Sequence, residues 1–347
     1  MIRYLFFCIS ILLVTVTVLV SAGIAKSFED KNQQESVLLL NSYDQNMNWV
    51  KGITRGVLDT LSKAERSVSV RIENMDTKMI SSSEYYEMYS TYLLSKYKDV
   101  SLSVILVSDN NAYDFLRKYR DKIFPAVPVV FCGVNNFDPQ QTAHLEYFTG
   151  VEEIISFKDT VHLISTYHPE TTEIFVINDY LATGRAWAEN IKKDVHNLKS
   201  GIKIKFSNDV PIKKLQSEIS RLSQTAIVLL GVYYSDNHGY SSTYEAIGEE
   251  LAKVSTVPVY CLAEFNINQY VIGGIVISGY SEGSAIANTA LKIIDGIDPQ
   301  TLPVSSTGSN RGIFNYLRLQ QYGLDEQLLP ANSIVINRPF SLYEEYY

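Results

Sequence analysis

Cysteine is nearly absent from this chain. The three present, Cys8, Cys132 and Cys261, show no spacing of a zinc site or a disulfide framework. Cys132 and Cys261 read as small buried hydrophobes at strand ends, and a bridge between them is open but not indicated. Histidine is almost as scarce. The five, at 144, 162, 168, 196 and 238, include no i, i+4 ligand pair, and only His238, in DNHGYSS, falls in a loop expected to face a cleft. A surface role suits it better than that of a ligand or base. There is no H-E-x-x-H, no G-x-S-x-G elbow, no Walker loop and no Rossmann fingerprint; Gly273-Gly274 precedes its strand, whereas a phosphate loop follows one. No catalytic residue, metal or cofactor is therefore expected, and the chain does not read as an enzyme. Lys/Arg clusters are missing too, and the net charge of −8 opposes a nucleic-acid footprint.

Long apolar runs are confined to the start. Residues 4–25 carry no charge and end in the small residues of Ser21-Ala22-Gly23-Ile24-Ala25. Residues 1–26 are thus expected to direct export, either as a cleaved signal peptide or as an anchor long enough for about 30 Å of hydrocarbon. The folded part is expected in the periplasm or another extracytoplasmic space, with the inner membrane as the place of any anchor. Residues 27–35 read as a polar linker.

What the sequence does contain is alternation. Residues 103–139 form one complete β-α-β unit: an apolar strand over 104–107, a helix with Tyr113, Leu116 and Tyr119 on one face, and a second apolar strand over 127–131. Ser108-Asp109-Asn110 and Gly133-Val134-Asn135-Asn136 follow the two strands. Small molecules bind beyond the carboxyl ends of parallel strands, so both loops are candidates for a ligand crevice. Strands over 37–40 and 68–72, with helices over 47–61 and 83–96, precede this unit. Trp49 opens the first helix, either as core or as an aromatic wall of the crevice. A further alternating set runs from strand 148–151 through strands 173–177, 202–206, 225–230 and 257–262 to a late strand over 273–280. The helix over 281–294 then ends at Gly296.

The fold class expected is α/β, with parallel sheets flanked by helices in two lobes. Lobe 1 spans 33–147 with a return over 279–300. Lobe 2 spans 148–278 with the C-terminal segment 301–347, whose lobe is left open.

Several phrases recur in order: NSYDQNMNW before a helix with Gly56, the pair VILVSDN and PVVFCGVN, FTGV at the crossing, PVY with Glu264 following, GYSEGSAIANTALKIIDGIDPQTLPV, and the ending YGLDEQLLPANSIVINRPFSLYEEY. In these the chain resembles the ABC-transporter substrate-binding family with the type I periplasmic binding fold. More particularly it is similar to the variant used as the extracytoplasmic sensor of bacterial histidine kinases and diguanylate cyclases. The resemblance implies two lobes closing over a small solute held by strand-end loops. Its candidate binding residues are Tyr43, Trp49, Asp109 and Asn135 from lobe 1, and Asp179, Tyr233 and Glu264 from lobe 2. Asp109 could instead cap its helix, Asn135 hold a turn, and Glu264 pair with a lysine across the hinge. The acidic and aromatic cast favours an amine-bearing or aromatic solute over a phosphate or sulfate, because no Arg cluster stands at these loops. The implied protein partner is an ABC permease. In the sensor variant NRPFSLYEEYY would precede a second membrane helix, and the partner would then be a membrane signalling protein.

Overall fold

The computed structural model describes residues 34–142, 145–198, 201–306 and 310–339. The expected export segment, residues 1–26, and most of the closing NRPFSLYEEYY phrase lie outside them. Among the described residues no helix is long and apolar enough to cross a membrane.

The first lobe is built from β1 (Glu35–Asn41), α1 (Asn48–Leu61), β2 (Val68–Asn74), α2 (Ser83–Lys96), β3 (Val104–Ser108), α3 (Asp109–Ile123), β4 (Val129–Val134), α4 (Pro139–Thr142) and β5 (Phe148–Glu152). Its five strands form one parallel sheet in the order β2-β1-β3-β4-β5. Every residue from Val37 to Leu40 is fully buried, because helices cover both faces of the sheet. Val37 and Leu39 pack with Val50, Ile53 and Val57 of α1, whereas Leu38 and Leu40 meet Leu93, Tyr113 and Leu116 of α2 and α3.

The second lobe contributes α5 (Phe157–Tyr167), β6 (Glu173–Ile177), α6 (Ala182–His196), β7 (Lys203–Phe206), α7 (Ile212–Ile219), β8 (Ala226–Leu230), α8 (Tyr244–Lys253), β9 (Val259–Cys261) and β10 (Gly273–Val276). The chain then returns to the first lobe as α9 (Gly279–Ile294) before adding β11 (Arg311–Asn315), α10 (Tyr316–Gln321) and β12 (Ile334–Ile336) to the second. The seven-stranded sheet runs β12-β11-β10-β9-β8-β6-β7, with β10 and β11 antiparallel and the other pairs parallel.

Two expectations change here. The lobe boundary set at 148 falls inside the first sheet, because β5 pairs with β4 through Phe148, Thr149 and Gly150. The late strand expected over 273–280 stops at Val276, and Gly279 already opens α9. The described part of the segment 301–347, set with lobe 2 but with its lobe left open, divides: Thr149 Oγ1 donates to the Leu302 carbonyl and Ser305 bridges Val151, while β11 and β12 join the second sheet. The chain thus crosses between lobes after β5, after β10 and after Ser305. Cys132 and Cys261 are buried free thiols in different sheets, so no bridge joins them.

α9 lies on α1 at a distance only glycine permits. A Cβ on Gly56 would stand 2.1 Å from the Tyr280 carbonyl oxygen, and one on Gly283 would stand 2.1 Å from that of Ile53. This contact carries the returning helix to the ends of β3 and β4, beside the cleft.

Candidate functional site

The site begins at the carboxyl ends of β1, β2 and β3, where buried polar groups bind one another. Ser42 Oγ donates to the Ser108 carbonyl at 2.7 Å and accepts the Ala112 amide at 2.8 Å, so the N-terminus of α3 is capped from a different strand. Ser108 Oγ donates to Asn41 Oδ1, whose own amide donates to Asn74 Oδ1. These bonds hold Asp109 in the left-handed backbone region, at φ 67°. Gly133, itself at φ 65°, lies so close that a Cβ there would stand 3.2 Å from Asp109 Oδ1. Strain of this kind persists only where the surroundings impose it.

Asp109 does not cap its helix. Its carboxyl, on a residue only 4% exposed, accepts the indole N–H of Trp49 at 3.0 and 3.2 Å. Burial pushes its pKa up to about 7, opposed by hydrogen bonds from Ser108 and Trp49 and by the charge of Lys78. A second pair of the same kind stands opposite. Trp187 of α6, fully buried, donates to Glu153 Oε1 at 3.0 Å and across the lobes to Asn135 Oδ1 at 3.1 Å. Burial, with the charges of Glu282 and Asp109, raises Glu153 to about 8. Among the described residues neither Asp109 nor Glu153 has a Lys or Arg within ion-pair distance.

The two pairs face each other across a chamber of about 30 Å³ between the lobes. Tyr43, Trp49, Asp109 and Asn135 line it from lobe 1. Tyr244 and Phe265 close it from lobe 2; their rings stack at 4.7 Å, and Phe265 meets Trp49 edge-on at 6.5 Å.

A family model described as ABC transporter substrate binding protein matches residues 98–333, more than half of the chain. The chain belongs to that family. A ligand-free, open substrate-binding protein with adhesive properties from Clostridium difficile superposes on this substrate-binding protein with a TM-score of 0.63. The identity is 14%, over 88% of this chain and 100% of that one. An ABC domain from Streptococcus pneumoniae, solved in complex with L-Trp, gives 0.59 at 16% identity over 88% and 100%. A conserved domain protein from Vibrio cholerae gives 0.59 at 16% over 87% and 100%. At such identities the likeness is one of fold. No curated protein matches the sequence significantly.

The lobe-2 candidates fare differently in this substrate-binding protein. Asp179 does not line the chamber, and its carboxylate is engaged by backbone, accepting the Tyr234 amide at 2.7 Å and the Leu181 amide at 3.1 Å. It shapes the loops beside the site. Tyr233 points away, into the core formed with Ile212, Leu215 and Ile247, while Val232, one residue earlier, lines the chamber. Glu264 lies outside it, paired with Arg311 at 3.4 Å instead of a lysine. That pair lines an adjoining groove of about 380 Å³ together with Lys51, Arg55 and Tyr280, with Trp49 and Phe265 common to both. Glu153, Trp187, Tyr244 and Phe265 were not among the residues expected from the sequence. Trp187 carried a usable signal, being one of only two tryptophans in the chain.

Proposed function

We propose that the protein binds a small amine-bearing or aromatic solute between its lobes and presents it to a membrane permease. Family membership supports the role, since substrate-binding proteins of ABC transporters normally work in the periplasm or another extracytoplasmic space. The observation that carries the solute class is the pair of buried carboxyls, Asp109 and Glu153, facing one chamber between aromatic walls. A cation placed between them would favour the ionised form of both carboxyls, and Trp49, Trp187, Tyr244 and Phe265 offer apolar faces to a flat body.

The chamber of about 30 Å³ has room for a water molecule, whereas small-molecule pockets run to roughly 300–1,000 Å³. A chamber of that size holds no such solute as it stands, and the proposal requires the solute to enter as the lobes part about the three crossings. Thermal-shift and calorimetric screening with amino acids, nucleosides, aromatic amines and small carboxylates tests the reading. Stabilisation is expected from the amine-bearing aromatic compounds and not from carboxylates lacking an amine. No stabilisation by any class would overturn it.

A further inference from the structure

We propose that Tyr43, Tyr234 and Tyr244 form a cage for the methylated ammonium group of a cationic solute, and that Lys78 fills this cage as a tethered stand-in while the site is empty. The inference rests on the interlobe reading above and narrows it to a class of headgroup.

Lys78 lies just beyond β2, in a turn tied to lobe 1 by the bond from Thr77 Oγ1 to the Ser42 carbonyl at 2.8 Å. From there its ammonium reaches between the lobes. It stands 4.7 Å from the ring centroid of Tyr43, 5.5 Å from that of Tyr234 and 6.0 Å from that of Tyr244. Tyr43 belongs to lobe 1 and the other two to lobe 2, so the cage is complete only when the lobes are together. Tyr43 and Tyr244 are also walls of the chamber, which makes cage and chamber one continuous site.

Among the described residues Lys78 Nζ has no hydrogen-bond acceptor, although a lysine ammonium carries three donors and ordinarily reaches for water or a carboxylate. Burial accordingly draws its pKa down, while the charges of Asp109 and Asp179 draw it up. The three ring faces offer a cation attraction without offering it acceptors. Such a cage is ill matched to a group with three N–H donors. It is well matched to an ammonium whose hydrogens are replaced by methyl groups, which has nothing left to donate. The charges agree: Asp109 and Asp179 act on one positive charge in the cage, and exchanging Lys78 for a solute cation leaves that balance unchanged.

Choline and its uncharged carbon isostere 3,3-dimethyl-1-butanol provide the test, by calorimetry on the full chain. Lys78→Ala empties the cage, and its choline affinity is expected to rise roughly tenfold above that of the wild type, the order of one desolvated cation–π contact. The isostere should gain nothing. Lys78→Met, which keeps the bulk and removes the charge, should gain little because its side chain still fills the space. Tyr244→Leu added to Lys78→Ala should abolish the gain. Lys78→Gln serves as a second uncharged variant, and thermal melts confirm that each protein folds. Equal choline binding in wild type and folded Lys78→Ala, or equal binding of choline and the isostere, would overturn the cage. If a solute from the screen still binds the wild type in that case, the interlobe site stands and only the cage falls. A choline gain without any hit from the screen would keep an interlobe site for methylated ammonium groups and remove the wider solute class.

Discussion

Asp109 concentrates the chemistry of the site in one residue: a left-handed backbone, a buried carboxyl and an indole N–H directed onto it. Its folded pKa of about 7, like the value of about 8 for Glu153, lies above the usual carboxylate range. Between these values and the unfolded range near about 4, the folded protein binds more protons than the unfolded one. The stabilisation is therefore complete below about pH 4 and lost as pH rises through the two folded values. A tenfold difference in proton affinity between folded and unfolded chain corresponds to about 1.4 kcal/mol, so the empty closed form should weaken by several kcal/mol between about pH 5 and pH 9. Denaturation midpoints across that range, read against Glu153→Gln, check this. The substitution should flatten the profile, because an amide keeps an acceptor for Trp187 and has no proton to lose. An unchanged pH profile in the variant would remove Glu153 as its cause.

The apolar strands declared themselves in the sequence because burial on both faces leaves no polar residue to interrupt them, as in Val104–Val107. β11 did not, since its sequence RGIFN carries only a short apolar stretch and pairs antiparallel at the far side of the second sheet. The contact of α1 with α9 was equally hidden. Gly52 and Gly56 on one helix, and Gly279 and Gly283 on the other, recur four residues apart, yet they come together only through the return of the chain to lobe 1. Gly56→Ala or Gly283→Ala would force a methyl group against backbone oxygen on the facing helix, which cannot move aside as a side-chain tip could. Overpacking of this kind costs about 1–3 kcal/mol, and the helices must also separate. Urea unfolding should show a lower midpoint for each variant, whereas Gly296→Ala, with nothing near its Cβ position, should lose only what its positive φ imposes.

The molecule as a whole is two sheets whose apolar core runs on from lobe to lobe, through Trp49, Val151, Trp187 and Ile277. The lobe-1 half of the chamber was legible because Tyr43, Trp49, Asp109 and Asn135 all follow strand ends in sequence. The lobe-2 half was not. Trp187 lies inside α6, Tyr244 follows β8 only after the long loop from Gly231 to Thr243, Phe265 lies in the short turn of 3-10 helix over Glu264–Asn266, and Tyr233 is one residue out of register with the inward-facing Val232. Nor could the larger groove be seen, since Lys51, Arg55 and Arg311 come from opposite ends of the chain. Closure itself depends on a hydrogen bond between lobes, from Trp187 to Asn135. Trp187→Phe keeps a ring in place but removes the donor from Glu153 and Asn135, and a buried acceptor left unpaired costs about 1–3 kcal/mol. Small-angle scattering of the solute-free variant should show a larger radius of gyration than the wild type. An identical radius would mean that packing alone holds the lobes together.

Trp49 and Trp187 are the only tryptophans in the sequence, and both stand in the same chamber with their indole N–H groups on buried carboxyls. All of the indole light this protein emits therefore originates at the place where the lobes meet. With the lobes together the two indoles are buried, which favours emission at short wavelength; water entering as the lobes part should shift it to the red, and an aromatic guest stacked on either ring should quench it. The chain carries its own optical gauge of opening and occupancy, with no other tryptophan to blur the reading.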